Sequence, residues 1–285
     1  MAEPFVAPGA PWRCPVCRDR LGLVSTERRW VCPAEHSFDV ASEGYVNLLT
    51  SRRKGRDPGD SAEMVTARRR FLGSGAYDPI SAAVSAAVAE AAPNVVLDVG
   101  CGEGRHTRHL HAGAILGADV SKPAVAAAAR AHPAGWYAVA SASDLPLPEG
   151  SVDFAVNIFG PVFAAELARV VRPGGLVVTV HPGPGHLAAL RALVYEEVRP
   201  HEVKAPLRGA GAWFDEVASL PLQFPVVVAD LDSLRDLFAM TPYRWHGPRD
   251  MDERLAAAAG PSFATMADVR VTTYRRQART DRDQR

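Results

Sequence analysis

The chain has 285 residues, of which 47% are hydrophobic and 22% charged, and its 32 basic and 32 acidic residues give a formal net charge of zero. This is the composition of a globular protein with a buried core; it excludes a disordered chain and argues against nucleic-acid binding through a general basic excess. No apolar run approaches the roughly 18 residues that cross a bilayer, and residues 1–13 lack the apolar segment of a secretory signal, so we expect a cytoplasmic protein with no membrane partner.

Residues 1–50 form the first predicted unit, which is rich in Pro, Cys and Gly and poor in helix pattern. Within it, two residues separate Cys14 from Cys17, fourteen residues follow before Cys32, and three more precede His36. Two thiolates at the first spacing reach one metal ion from a tight turn, and the second pair completes the Cys₃His set of a structural zinc site. Four protein ligands leave no open position for catalysis, so we predict a structural Zn²⁺. Buried cysteines without a metal are the alternative.

Residues 51–80 form the second predicted unit, a basic helical linker. A helix is predicted from Asp60 to Leu72, with Asp60 or Ser61 as its N-cap. The interval from Arg52 to Arg70 contains seven basic and three acidic residues. Such a segment is a candidate contact for phosphate groups, and a solvated face is the alternative.

Residues 81–285 form the third predicted unit, in which strand-like and helix-like segments alternate. Near-continuous apolar runs such as Leu176–Val180 are typical of strands covered on both faces, so the alternation predicts an α/β domain with a parallel sheet. The strands are predicted at Val95–Val99, Ala114–Val120, Trp136–Ala140, Val152–Ile158, Leu176–Val180, Phe224–Ala229 and Val269–Tyr274. The helices are predicted after Pro79 to Ala92, and at Glu103–His111, Pro123–Ala131, Phe163–Val171, Gly185–Val198 and Ser233–Met240.

A glycine-rich turn follows the first of these strands. Its sequence, from Asp98 through Gly100, Gly102 and Glu103 to Gly104, differs from the Gly-x-Gly-x-x-Gly of dinucleotide sites. Glycines let the backbone approach a bound cofactor closely. The turn resembles the first motif of class I (Rossmann-like) S-adenosylmethionine methyltransferases, in which the acidic residue and the glycine amides hold the methionine end.

Further marks of the same class follow in order along the chain. Asp119 ends the next predicted strand, where a carboxylate can accept hydrogen bonds from ribose hydroxyls. Ser141 and Ala142 follow the third strand, where such enzymes border the adenine. The run Leu167–Gly175 precedes the fifth strand and is another mark of the class. These marks predict S-adenosylmethionine as cofactor, and a Rossmann-like domain without cofactor is the alternative.

The flanking segments resemble the zinc-containing 23S rRNA guanine-N1 methyltransferases. The zinc motif is followed by Phe38-Asp39 and by the runs 43–49, 56–64 and 67–72 that carry this resemblance, together with 119–122, 181–187 and 240–245. The match spans most of the chain and is weakest at 200–230 and after 247. It implies a class I methyltransferase core with a small N-terminal zinc-binding domain.

The resemblance also implies a substrate. In such enzymes a zinc module helps grip a hairpin in domain II of 23S rRNA. The phosphate contacts would be Arg52, Arg53, Lys54, Arg68, Arg69 and Arg70. The target would be guanine 748 rather than 745 in the rRNA numbering, with macrolide (tylosin-type) resistance as the role, and the enzyme would be a homodimer. Tyr77, Gly102, Glu103 and His186 match positions that contact the cofactor.

The sequence contains no clear general base for removal of the guanine N1 proton. Asn157 and Phe159 follow the fourth strand, where related enzymes hold the target base. Asn157 could bond a base edge and Phe159 could stack on a flipped guanine, or both could simply finish the strand. Two other functions are the alternatives: methylation of a small biosynthetic metabolite, and zinc-dependent regulation without catalysis.

Overall fold

The structure is a computed structural model, and it describes residues 11–50, 59–202, 206–207, 210 and 213–278. The predicted phosphate contacts Arg52, Arg53 and Lys54 lie outside the described residues. Among the residues described, no helix is long and apolar enough to cross a membrane.

The chain is organised around one eight-stranded sheet. Its strands are β4 (Tyr45–Asn47), β5 (Val95–Val99), β6 (Ala114–Asp119), β7 (Trp136–Val139), β8 (Val152–Ile158), β9 (Val171–Pro182), β10 (Phe214–Val228) and β11 (Phe263–Arg276). The spatial order is β10-β11-β9-β8-β5-β6-β7-β4. The pairs from β4 to β9 are parallel, and β11 runs antiparallel to both of its neighbours.

Both faces of this sheet are buried. Successive side chains of a strand point to opposite faces, and the core divides accordingly. Val96 and Val178 lie in one cluster, whereas Leu97 and Val177 lie in the other. A sheet covered on both faces requires apolar residues at consecutive positions, which is the pattern on which the strand predictions depended.

Seven α-helices surround the sheet in the described residues. They are α1 (Ala62–Gly73), α2 (Asp78–Ala91), α3 (Lys122–Ala131), α4 (Ala164–Val170), α5 (Ala188–Val194), α6 (Leu231–Ala239) and α7 (Met251–Ala259). The Ser61 hydroxyl caps α1 by accepting the Met64 N–H, and the Ser121 hydroxyl caps α3 in the same way from Ala124. Helix α1 packs against α3 and α6, close to the ends of the parallel strands.

The predicted helix at Glu103–His111 is wrong. The segment forms turns and a short 3₁₀ helix at Thr107–His109. The reason is local: Gly102 and Gly104 have φ of +54° and +80°, and a right-handed helix cannot begin through such residues. Other differences are that the sequence did not predict α7, and that β9, β10 and β11 extend beyond their predicted bounds.

The N-terminal segment forms a separate three-stranded antiparallel sheet and one strand of the main sheet. The small sheet contains β1 (Gly22–Val24), β2 (Arg29–Val31) and β3 (Ser37–Asp39). The next strand, β4, pairs in parallel with β7 and forms the edge of the main sheet. Trp12 and Trp30 are almost fully buried in the core cluster that covers one face of that sheet. Residues 11–50 therefore share the core of the larger domain.

Candidate active site

A cavity of about 1140 Å³ opens at the carboxyl ends of four parallel strands. Gly100 follows β5, Asp119 ends β6, Ser141 follows β7 and Phe159 follows β8, and all four line this cavity. Open α/β sheets bind ligands at this end of their strands, and the volume suits a nucleoside cofactor with part of a substrate. Other predicted cofactor contacts that line it are Tyr77, Gly102, Glu103, Ala142 and His186.

Three glycines shape the turn after β5. Gly100, Gly102 and Gly104 all have positive φ, a region that costs glycine little and other residues more. Gly100 and Gly102 line the cavity, whereas Gly104 packs against α3 outside it. A Cβ on Gly104 would lie 3.0 Å from the Cβ of Ala128. Two glycines therefore open the backbone to a ligand, and the third allows close packing of the turn.

Asp98 lies beneath this turn and does not line the cavity. Its side chain is only 2% exposed, and the Thr107 hydroxyl donates a hydrogen bond of 2.5 Å to its Oδ2. Burial raises the pKa of Asp98 to about 7, against the effect of that hydrogen bond. The residue fixes the turn from below, because it joins β5 to the 3₁₀ segment that follows.

Two other carboxylates face the cavity. Asp119 accepts the Gly102 N–H at 3.0 Å and the Ser121 N–H at 2.8 Å, which fixes the carboxylate at the end of β6. Glu103 is 7% exposed, and its Oε1 is buried without a hydrogen-bond partner among the described residues. Burial raises the pKa of both carboxyl groups, and the nearby Arg68 guanidinium opposes this shift. A ligand with hydroxyl groups and positive charge would satisfy these oxygens.

Aromatic rings also line the cavity. The ring of Phe159 lies 6.2 Å from Tyr77 and 5.5 Å from His186, measured between centroids. Phe159 is 39% exposed and has a φ of +59°, which is unusual for a bulky residue. Such strain often marks a functional position, and here it turns an aromatic ring towards the cavity.

His186 is held in one tautomer. Its Nδ1 accepts the Asp268 backbone N–H at 3.3 Å, so a neutral ring carries its proton on Nε2, which lies 3.5 Å from the Tyr77 hydroxyl. Burial lowers the pKa of His186 to about 4, and the ring is therefore neutral at pH 7.

Asn157 lies outside the lining of the cavity. Its Nδ2 donates to the carbonyl oxygen of Val99 at 2.9 Å and to that of Pro161 at 3.3 Å. The side chain is 1% exposed, so in this structure it joins the end of β8 to β5. Of the two residues considered for holding the target base, only Phe159 reaches the cavity.

Sequence reasoning did not identify His201 as a site residue. Its Nε2 lies 3.0 Å from the Tyr243 hydroxyl, and the two rings stack with centroids 6.4 Å apart. Both residues line the cavity. Tyr243 belongs to a run on which the resemblance depended, but His201 lies in the stretch where the resemblance is weakest. No local pattern marks it.

The basic residues of α1 have different environments. Arg68 lines the cavity, where it forms an ion pair with Asp60 and donates to the Met240 carbonyl oxygen at 3.4 Å. Arg70 forms a two-point ion pair with the largely buried Asp236 of α6. Arg69 is exposed. The ion pairs of Arg68 and Arg70 connect α1 to its surroundings.

The four predicted metal ligands lie together. The ligand atoms of Cys14, Cys17, Cys32 and His36 all lie within 4.8 Å of one another. The Sγ atoms of Cys17 and Cys32 are 3.5 Å apart, and His36 Nδ1 lies 3.3 Å from the Sγ of Cys32. A tetrahedral zinc ion with Zn–S bonds of about 2.3 Å requires roughly 3.8 Å between sulfurs. Three thiols and one imidazole at these distances fit a zinc ion.

Two family models match the chain. One describes the N-terminal zinc ribbon of RlmA and covers residues 12–56; the other describes a methyltransferase domain and covers 97–179. Together with the strand order and the glycine turn, these matches define the class: the protein is an S-adenosylmethionine-dependent methyltransferase with a structural zinc site. The predicted fold and both predicted cofactors are thereby confirmed.

Relatives identify the family within this class. A 23S rRNA (guanine(748)-N(1))-methyltransferase of Streptomyces fradiae is 37% identical and covers 90% of this chain and 93% of its own. A protein of Micromonospora griseorubida, provisionally named 23S rRNA (guanine-N(1)-)-methyltransferase, is also 37% identical and covers 92% of this chain and 96% of its own. The chain belongs to the family of 23S rRNA (guanine-N1)-methyltransferases. Among solved structures, the YcgJ protein of Bacillus subtilis covers 66% of this chain and 94% of its own at 14% identity and a TM-score of 0.45.

Proposed function

We propose that the protein transfers a methyl group from S-adenosylmethionine to N1 of guanine 748 in the domain II hairpin of 23S rRNA, and that this confers resistance to tylosin-type macrolides. The observation that carries the proposal is one cavity lined by a glycine turn, by the carboxylates Asp119 and Glu103, and by the exposed ring of Phe159. The Streptomyces fradiae relative, named for guanine 748, supports the choice of nucleotide.

Around the glycine turn, the residues suit the cofactor. Asp119 would accept hydrogen bonds from the ribose hydroxyls, while Ser141 and Ala142 border the adenine. Glu103, with its unpaired oxygen, would face the positively charged methionine end. When bound, S-adenosylmethionine supplies a methyl group that is already activated on a sulfonium sulfur, so the protein mainly aligns the two reactants.

Around Phe159, the residues suit a guanine. Phe159 would stack on the flipped base, and its ring already contacts the neighbouring rings of Tyr77 and His186. N1 must lose its proton, and its electron pair would form the bond to the methyl carbon as the bond from that carbon to the sulfonium sulfur breaks and a neutral thioether leaves. We assign the acceptance of that proton to His201, because His186 already accepts a backbone N–H through Nδ1 and is a weak base. Tyr243 would orient the His201 ring through their hydrogen bond.

RNA binding would involve the zinc ribbon and the basic linker. We propose phosphate contacts from Arg52, Arg53, Lys54 and Arg69. Arg68 and Arg70, which were predicted alongside them, already form ion pairs with acidic residues. Arg68 and Arg70 could contact phosphates only through the guanidinium N–H groups that these ion pairs leave unused.

We also propose that the enzyme acts as a homodimer, as the family resemblance implies. Light scattering of the purified chain tests this.

The decisive experiment is tritium transfer from labelled S-adenosylmethionine to unmodified 23S rRNA and to its isolated domain II hairpin, followed by primer extension. Methylation of N1 blocks Watson–Crick pairing, so a reverse-transcription stop is expected at guanine 748. Hairpins with adenine at 748 or at 745 are the matched controls. A stop at 745 would contradict the nucleotide assignment. Transfer to neither RNA, with cofactor binding intact, would contradict the rRNA assignment and favour a small acceptor.

A further inference from the structure

An ion pair joins the zinc ribbon to the loop that follows β7. Arg18 comes directly after the zinc ligand Cys17, and its guanidinium donates two parallel hydrogen bonds to Asp144, of 2.8 Å to Oδ1 and 3.1 Å to Oδ2. Two-point pairs of arginine with a carboxylate fix orientation as well as distance. The side chain of Asp144 is 21% exposed and that of Arg18 is 45% exposed, so the pair is only partly screened by solvent.

Asp144 ends the part of the loop that lines the cofactor cavity. Ser141, Ala142 and Ser143 all line the cavity, and the Asp144 N–H closes their turn by donating to the Ser141 carbonyl oxygen at 3.0 Å. A displacement of Asp144 would therefore change the position of the three residues that border the cofactor.

The metal-binding turn fixes the position of Arg18. The Arg18 N–H donates to the Cys14 carbonyl oxygen at 3.0 Å, and its φ of +70° is unusual for a residue other than glycine. The Val16 N–H also points at the Cys14 sulfur, 3.4 Å away. A metal ion bound by both thiolates of the Cys-x₂-Cys pair would stabilise this turn. The unfolded segment has no preformed metal site, so the free energy of metal binding adds to the stability of the folded turn.

A backbone hydrogen bond and hydrophobic packing also connect the ribbon to this loop. The N–H of Arg13, next to Cys14, donates to the Pro146 carbonyl oxygen at 2.7 Å. Leu145 and Leu147 of the same loop are fully buried in the core cluster that also contains Trp12 and Cys14. The ribbon therefore supports one wall of the cofactor cavity through hydrogen bonds and through packing.

We propose that Arg18 and Asp144 are positioning residues for the cofactor, through which the zinc-bound ribbon fixes the 141–144 turn and raises the affinity for S-adenosylmethionine. The role is additional to any contact between the ribbon and RNA, and it does not depend on which nucleotide is methylated. It predicts that the metal site and the cofactor site are coupled within one chain.

The test is calorimetric titration of the full-length, zinc-loaded chain with S-adenosylhomocysteine, which occupies the cofactor site without turnover. The variants are Arg18→Ala, Arg18→Gln, Asp144→Asn and the double variant Arg18→Ala/Asp144→Asn. Arg235→Ala is the matched control, because Arg235 forms a similar two-point pair with Asp252 on the surface of α6 and α7. Zinc content is measured for every variant.

We expect each single variant to weaken binding about two- to fivefold, the range for a partly exposed ion pair, with zinc content unchanged. The double variant should be no weaker than the singles, and the control should bind as the parent chain does. Removal of zinc with a chelator should weaken binding in the parent chain, and by a smaller factor in Arg18→Ala. In steady-state assays, the KM for S-adenosylmethionine should rise while kcat and the KM for RNA stay constant.

Two results would overturn the proposal. Unchanged cofactor affinity in Arg18→Gln and Asp144→Asn at full zinc content would show that the ion pair does not position the turn. An increase in the KM for RNA with constant cofactor affinity would make Arg18 a phosphate contact instead. If Arg18→Ala fails to fold, Asp144→Asn and Arg18→Gln still decide between these outcomes.

Discussion

Replacement of Asp98 by asparagine should flatten the dependence of stability on pH. Burial raises the pKa of Asp98 from 3.8 to about 7 in the folded chain. Between those two values the folded state holds a proton that the unfolded state has lost, so stability is greatest at low pH and falls as pH rises. This rise in pKa corresponds to about 4 kcal/mol in all, of which about 2–3 kcal/mol falls between pH 5 and pH 8. Asparagine cannot ionise, but it can still accept the Thr107 hydrogen bond.

The assay is urea unfolding of the zinc-loaded, cofactor-free chain at pH 5 and pH 8. The free energy of unfolding should fall by about 2–3 kcal/mol less over this interval in Asp98→Asn than in the parent chain. Asp252→Asn is the control, because Asp252 is exposed and its pKa is lowered by hydrogen bonds from Arg235. Equal slopes in Asp98→Asn and the parent chain would refute the reasoning, because they would mean that Asp98 titrates below pH 5 when folded.

Three further substitutions test the site. Phe159→Ala should lower kcat/KM for the RNA hairpin by roughly 5- to 150-fold, the range for loss of one stacked base, without changing cofactor affinity by calorimetry; equal losses in both would place the ring at the cofactor. Gly104→Ala should lower the free energy of unfolding in urea by about 1–3 kcal/mol, because of its positive φ and its closeness to Ala128, whereas Gly73→Ala in an open position should not be destabilising. His201→Asn should lower kcat by about 100-fold without changing cofactor affinity by calorimetry; an unchanged kcat would exclude His201 as the proton acceptor.

The sequence predicted the strands that are buried on both faces with good accuracy. The bounds of β5 and β8 agree with prediction, because an apolar run that ends at a glycine turn or a polar residue is a local signal. The zinc ligands could be predicted equally well from the sequence, because both ligand pairs are close in sequence and their spacing is set by the geometry of the metal site.

Features made by distant segments could not be predicted in the same way. The stretch Tyr45–Asn47 is too short to read as a strand, and its partner β7 lies about ninety residues later in the chain. Nothing near Arg68 or Arg70 in sequence indicates that one would line the cofactor cavity and the other would pair with Asp236. The same is true of His201, which reaches the cavity through the packing of its loop against Tyr243.

The ion pairs of α1 offset part of the positive charge of the basic segment, in a chain that has no net charge as a whole. Arg68 and Arg70 are matched by Asp60 and Asp236, so their charges hold α1 to its surroundings and add little to a general attraction for RNA. Under the proposed function, recognition of the hairpin would depend more on shape, on stacking and on a few exposed cations than on a broad basic surface. The zinc ribbon fits this arrangement, because it adds a surface beside the cavity and shares its core with the strands that hold the cofactor. Under the proposed function, a ribbon packed into this core would align the RNA with the cofactor, which a ribbon attached through a free linker could not do.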